Sequence, residues 1–166
     1  MSEADLAQEQ HGVLLTAEGY ATLQRELEHL TVVKRPEIAD RIRDSQTHGE
    51  FAEDNSELDG VKFEQAMVEN RIAELKTIFG TAQILDEDSI PTDSVGLGSK
   101  IEVEDLEFGD RFEIRLVSSI EADPNKDLVS NESPLGTALL GHSVGEKFSF
   151  EAPEGKKTYK VIKISR

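Results

Sequence analysis

The sequence predicts an α+β protein, in which an N-terminal antiparallel α-helical coiled-coil hairpin is followed by a mainly antiparallel sheet with one short helix. Three observations predict it. Apolar residues in the first half recur at alternating steps of three and four, the seam of a coiled coil. Apolar residues in the second half alternate, the period of half-buried strands. Between the two seams lies an acidic turn: five of the ten residues from Glu50 to Asp59 are acidic and none is basic.

Met1–Gln10 has neither the basic region nor the apolar run of a secretory signal, so residues 1–13 read as a disordered lead. Thr16 is a candidate N-cap, with Glu18 in the first turn. Tyr20, Leu23, Leu27 and Leu30 form the first seam, and Ile38 and Ile42 continue it. Pro36 falls between them, where a missing donor and a ring clash predict a kink or a restart. Gly49 offers a stop. The second helix, capped by Asp54 or Asn55, has its seam at Leu58, Val61, Gln65, Val68, Ile72, Leu75 and Phe79, and Gly80 closes it. Neither stripe can be buried alone, so the two pack antiparallel over roughly 45 Å.

Residues 14–81 are therefore the expected hairpin. Residues 82–99, rich in Asp, Ser, Gly and Pro beyond Leu85, read as a linker. Residues 100–166 form the sheet domain. Its strands are centred on Ile101 and Val103, on Phe112 to Leu116, on Phe148 and Phe150, and on Tyr159 to Ile164. Ser133-Pro134 opens a short helix and Gly141 ends it.

Composition excludes several classes. The chain has 166 residues and no cysteine, so disulfides, thiolate zinc sites and cysteine nucleophiles are absent. No apolar run is long enough for a membrane span. The net charge of -16 argues against sequence-independent binding to a phosphate backbone and favours basic partners. Both halves are acidic, so charge does not assign roles to them. His11, His29, His48 and His142 lack metal-site spacing, and no glycine-rich phosphate cradle is present. An independent enzyme is not expected. The tip carboxylates could supply hard oxygen ligands to a magnesium ion in another protein's site, or could simply be a hydrated turn.

Specific stretches resemble the bacterial Gre transcript-cleavage factors, GreA and GreB. They are Leu15-Thr16-Ala17-Glu18-Gly19, Arg35-Pro36-Glu37-Ile38, His48-Gly49-Glu50, Arg71-Ile72-Ala73-Glu74-Leu75 and Ser133-Pro134-Leu135-Gly136-Thr137-Ala138-Leu139-Leu140-Gly141. The resemblance runs from about Leu14 to Ile164. It implies an FKBP-like C-terminal domain that docks on RNA polymerase, with Ser133, Pro134, Leu135, Gly136, Leu139 and Gly141 as the docking segment. It implies a coiled coil that enters the polymerase's secondary channel, and tip acids that help hold its second Mg2+ while the polymerase cleaves backtracked nascent RNA. The magnesium would be shared with the polymerase and not stably held by the factor alone. A cytoplasmic monomer among DNA-binding transcription proteins, with no membrane partner, is the accompanying expectation.

The tip departs from the family pattern. Glu50 stands where the family has aspartate, and Leu58 where it has tyrosine. Aligned from the left, Glu53 falls on the family's glutamate; aligned from the right, Asp54 does. Glu50 with Glu53 or Asp54 are the expected metal-holding and catalytic residues. Arg41 and Arg43 are candidates for RNA contact, against ordinary pairing with helix acids such as Glu37. The leading expectation is stimulation of transcript cleavage in trans. A non-cleaving regulator or inhibitor of the secondary channel is the alternative, and a prolyl isomerase is a third reading.

Overall fold

The computed structural model describes residues 12–48 and 56–166. Contacts group Tyr20–Ala82 into one compact unit, and Val13–Gly19 with Gln83–Arg166 into another. Among the described residues no helix is long and apolar enough to cross a membrane.

The helical unit contains most of α1 (Ala17–His29), a π-helical segment (Leu30–Lys34), α2 (Arg35–His48) and α3 (Ser56–Thr81). The π turn lies immediately ahead of Pro36, where a regular α-helix would need a bond from the missing proline N–H and would press the ring on the Val32 carbonyl. The Arg35 N–H reaches back to the Leu30 carbonyl across this wider turn. Leu23 and Ile38 from the first arm are buried, as are Val61, Ile72, Leu75 and Ile78 from the second. The predicted seam is this core with two adjustments. Gln65, its one polar position, is exposed. Ile78 takes the buried place near the end of α3, while Phe79 meets Tyr20 edge-on at 5.1 Å. The buried positions Ile72, Leu75 and Ile78 thus step by three at the end of α3, one residue short of the predicted seam position at Phe79. The candidate caps Asp54 and Asn55, and the stop at Gly49, lie outside the described residues.

The second unit is a five-stranded sheet of order β5-β4-β3-β7-β6. Its strands are β3 (Lys100–Asp105), β4 (Arg111–Val117), β5 (Leu128–Ser130), β6 (Lys147–Ala152) and β7 (Gly155–Ser165). The four strands read from alternation are β3, β4, β6 and β7. The sheet is mixed, not purely antiparallel: β5 runs parallel to β4 at the edge. Its core gathers Val95, Ile101, Val103, Ile114, Leu116, Leu139, Phe148, Tyr159, Val161 and Ile164. The short helix α4 (Pro134–Leu139) contributes Leu139, which is fully buried.

Of residues 82–99, expected as a linker, all from Gln83 onward are built into this unit. β2 (Gln83–Ile84) pairs in parallel with β1 (Leu14–Leu15). Ile90 and Val95 are buried, and the Val95 N–H donates to the His142 carbonyl at 2.8 Å. Polar composition hid these contacts because so few apolar residues make them.

Candidate functional site

Charged pairs line the helical arms. Arg35 grips Glu69 with two bonds of 2.8 Å each, and Arg71 grips Glu26 at 2.6 and 2.9 Å. Both are bidentate forks, the strong geometry for guanidinium and carboxylate. The Arg35 bond holds the Glu69 carboxyl below its ordinary value, and the same bond raises the Arg35 guanidinium. The Arg71 guanidinium is raised first by Glu26, against partial burial, with Glu74 adding to it. Arg41 reaches across to Glu64 at 2.8 Å, and Arg43 pairs with Asp40 in its own helix. Both cations proposed for RNA contact therefore hold carboxylate partners. The partner of Arg41 is on the opposite arm, not at the i,i+4 position weighed from the sequence.

The segment Ser133–Gly141 is mostly internal architecture. Ser133 caps α4: its Oγ accepts the Gly136 N–H at 3.0 Å and donates to the Ser130 carbonyl at 2.7 Å. A methyl group on Gly136 would lie 1.9 Å from that same carbonyl oxygen, so only glycine fits. Leu135 packs on the core that Leu139 enters. Gly141 sits at φ 86°, and its N–H donates to the Val95 carbonyl at 2.9 Å. Pro134 and Thr137 face solvent, as do Leu140 and Val144, which are 53% and 56% exposed. A partner approaching this helix would meet these four side chains.

At the start of α1, Thr16 Oγ1 accepts the Gly19 N–H at 3.0 Å, as an N-cap should. Glu121, far away in sequence, accepts the Thr16 N–H at 3.0 Å and also the Thr16 hydroxyl proton. In a capping box the residue three past the cap reaches back in this way. Here that residue is Gly19, and a methyl group on it would lie 2.2 Å from the Glu121 carboxyl carbon. Glu121 occupies the space that the missing side chain leaves. Beside it, Arg115 meets Glu18 at 2.6 Å and donates to the Gly98 carbonyl at 3.2 Å. Sequence reasoning missed Glu121 and Arg115, and no local spacing points to bonds of such long range.

Comparison with known proteins adds the decisive observation. Residues 13–84 match the family description "Transcription elongation factor, N-terminal", and residues 90–166 match "Transcription elongation factor, GreA/GreB, C-term". The chain belongs to the GreA/GreB family of transcription elongation factors. Transcription elongation factor GreA of Alkaliphilus oremlandii is 47% identical over 154 residues, spanning 93% of this chain and 96% of that protein. GreA of Acetivibrio thermocellus is 43% identical over the same shares. Among solved structures, the GreA factor homolog 1 (Gfh1) of Thermus thermophilus is 34% identical, covering 93% of this chain and 99% of that one at a TM-score of 0.44.

Within this GreA/GreB chain the tip residues Glu50, Glu53 and Asp54 lie outside the described residues. The described ends of the arms are α2, which runs to His48, and α3, which begins at Ser56. Glu57 and Asp59 occupy the first turn of α3, where the helix dipole favours negative charge. Among the described residues no group of three or more His, Cys, Asp or Glu could hold a metal ion. The expected Mg2+ ligands are not among the residues that statement covers.

Proposed function

We propose that this GreA/GreB-family chain is an RNA-polymerase secondary-channel factor that stimulates cleavage of backtracked nascent RNA. The observation that carries the reading is its 47% identity to a GreA over nearly the whole of both chains. The sheet unit, FKBP-like in this reading, docks on the polymerase. Pro134 and Thr137 on its short helix, and Leu140 and Val144 just beyond the helix, are the exposed side chains of this region. The hairpin carries Glu50 with Glu53 or Asp54 to the active centre. Those residues are hard oxygen donors, the class that suits Mg2+. The shared Mg2+ supplies charge stabilisation for displacement at a phosphodiester. This chain's own part is to bring carboxylates to that place, and the nuclease activity stays with the polymerase. Arg35–Glu69, Arg41–Glu64 and Arg71–Glu26 hold the arms in register. The factor works as a cytoplasmic monomer.

The altered tip favours a second reading. Glu50 in place of aspartate carries one more methylene, and the sequence beyond it is longer by one residue. Magnesium demands near-ideal octahedral geometry, so such a tip suits a factor that occupies the channel without promoting cleavage. Backtracked elongation complexes with a labelled transcript distinguish the two. Saturating factor is expected to accelerate cleavage, and Glu50→Ala to abolish the acceleration while leaving polymerase binding unchanged. No acceleration by the unaltered chain would favour the non-cleaving regulator. Equal loss of binding by Glu50→Ala would make the tip a docking element.

A further inference from the structure

Among the described residues, one end of the sheet is left uncovered. On β4, Phe112, Ile114 and Leu116 share a face, because side chains two apart on a strand point the same way. The helix α4 has six residues and is about 9 Å long. β4 has seven and spans about 23 Å. The helix is too short to cover that row, and burial falls along it: Leu116 is fully buried, Ile114 is 4% exposed and Phe112 is 36% exposed. Phe112 packs edge-on against Tyr159 at 5.5 Å, and Phe150 packs on the same ring at 5.0 Å.

The β3–β4 turn extends this apolar end outward. Leu106 is 39% exposed and Phe108 is 67% exposed. The turn is held firmly. The buried Asp105 accepts the Glu107 N–H at 2.9 Å through Oδ1, its own N–H donates to the Asp110 carbonyl at 2.8 Å, and the Gly109 N–H donates back to the Asp105 carbonyl at 2.7 Å. The Leu106 N–H donates to the Thr158 carbonyl at 3.1 Å. A phenyl group carried on a turn whose backbone is already braced needs little backbone ordering on binding, which favours an anchor. The surroundings are acidic. Glu104, Asp105, Glu107 and Asp110 fall within seven residues of chain. Arg111 is paired with Glu104 and Lys157 with Glu154, while Lys156 and Lys160 stand opposite Glu151 and Glu104 in the β6–β7 and β3–β7 ladders. At a net charge of -16, a second copy of the chain is repelled from this surface.

We infer that the Asp105–Asp110 turn, with Phe108 at its tip and Phe112 and Phe150 behind it, is a docking anchor for a protein surface with an apolar recess flanked by Lys and Arg. In keeping with the proposed function, on which this inference rests, that surface belongs to RNA polymerase. The anchor is separate from the Ser133–Gly141 segment. Purified core polymerase is titrated with the N-terminally labelled full-length chain at several salt concentrations. Phe108→Ser is expected to raise Kd about tenfold, the cost of a central anchor. Phe108→Leu, which keeps an apolar group on the turn, stays within about threefold. Glu107→Lys with Asp110→Lys raises Kd and flattens its salt dependence. Thermal melts of the variants are expected to match the unaltered chain. If the unaltered chain binds and Phe108→Ser binds equally well, the anchor is refuted while the polymerase reading stands. If the unaltered chain does not bind polymerase at all, both fall. Concentration-dependent dimerisation that Phe108→Ser abolishes would instead make the turn a contact between copies and overturn the inference.

Discussion

Placing one methyl group on Gly136 tests whether the Ser133–Gly141 segment is architecture before it is a docking surface. The added carbon would lie 1.9 Å from the Ser130 carbonyl oxygen and 2.8 Å from its carbon, both backbone atoms that cannot swing aside. Ordinary contact begins near 3.4 Å, so the helix must retreat by about 1.5 Å. That oxygen also accepts the Ser133 N–H at 3.1 Å and the Ser133 hydroxyl at 2.7 Å. Retreat stretches both bonds beyond useful length, at about 1 kcal/mol each. It also lifts Leu139 from a fully buried seat, adding an overpacking cost of about 1–3 kcal/mol. Gly136→Ala should therefore destabilise the sheet unit by roughly 3–5 kcal/mol, lowering its Tm by on the order of 15 °C or more. Calorimetry of the full chain, with near-UV dichroism of Tyr159, reads the effect. Gly60 in α3 provides the contrast. No atom lies within 4 Å of its added methyl, and helix propensity favours alanine there by ~0.5–1 kcal/mol. A Tm for Gly136→Ala within about 2 °C of the unaltered chain would refute the reasoning.

Two further outcomes are expected. Glu121→Ala should cost about 1–2 kcal/mol by leaving the Thr16 N–H without its carboxylate, and Gly19→Glu in the same chain should recover part of it by rebuilding a local capping box, as a double-mutant cycle in urea would measure. The Glu69 carboxyl is held below its ordinary 4.5 by its bond from Arg35, so its contribution is present above that pH and is lost as pH falls through the lowered folded value; helix melts between pH 6 and pH 3 should show a smaller acid loss for Glu69→Gln, and an identical loss in both chains would sink the assignment.

The hairpin was legible because its signal is local and repeated. Leu23, Ile38, Val61, Ile72 and Leu75 each stand at a predicted seam position, and each is buried. The four long strands were legible for the same reason. The sheet's parallel edge was not: β5 has three residues and no alternation to read. The segment after α3 was misread because Gln83 and Ile84 join the fold through backbone bonds to the Val13–Leu15 stretch, to which side-chain composition is blind. At the Ser133 segment the sequence correctly marked a capped helix. It did not reveal that Gly136 and Leu139 face inward while Leu140 and Val144 face out.

The start of α1 explains a limit of motif reading. Thr16 with Glu at the third following position would be a recognisable box, and here that position is Gly19. Read locally, the glycine weakens the helix start, because it is a poor helix former and offers no carboxylate. Read with Glu121 in place, the glycine leaves room for the carboxylate that completes the cap, which a side chain at this position would push aside. Both bonds of a capping box are present: the Gly19 N–H to Thr16 bond is local, and the bond back to the Thr16 N–H comes from a different part of the chain. A local capping box stabilises α1 whether or not the sheet has formed. The long-range version stabilises it only when the loop carrying Glu121 is folded beside Thr16. Formation of the helix start is thus coupled to folding of the sheet unit. Gly19→Glu with Glu121→Ala should remove that coupling: hydrogen exchange at the first turn of α1 would then cease to follow the stability of the sheet unit.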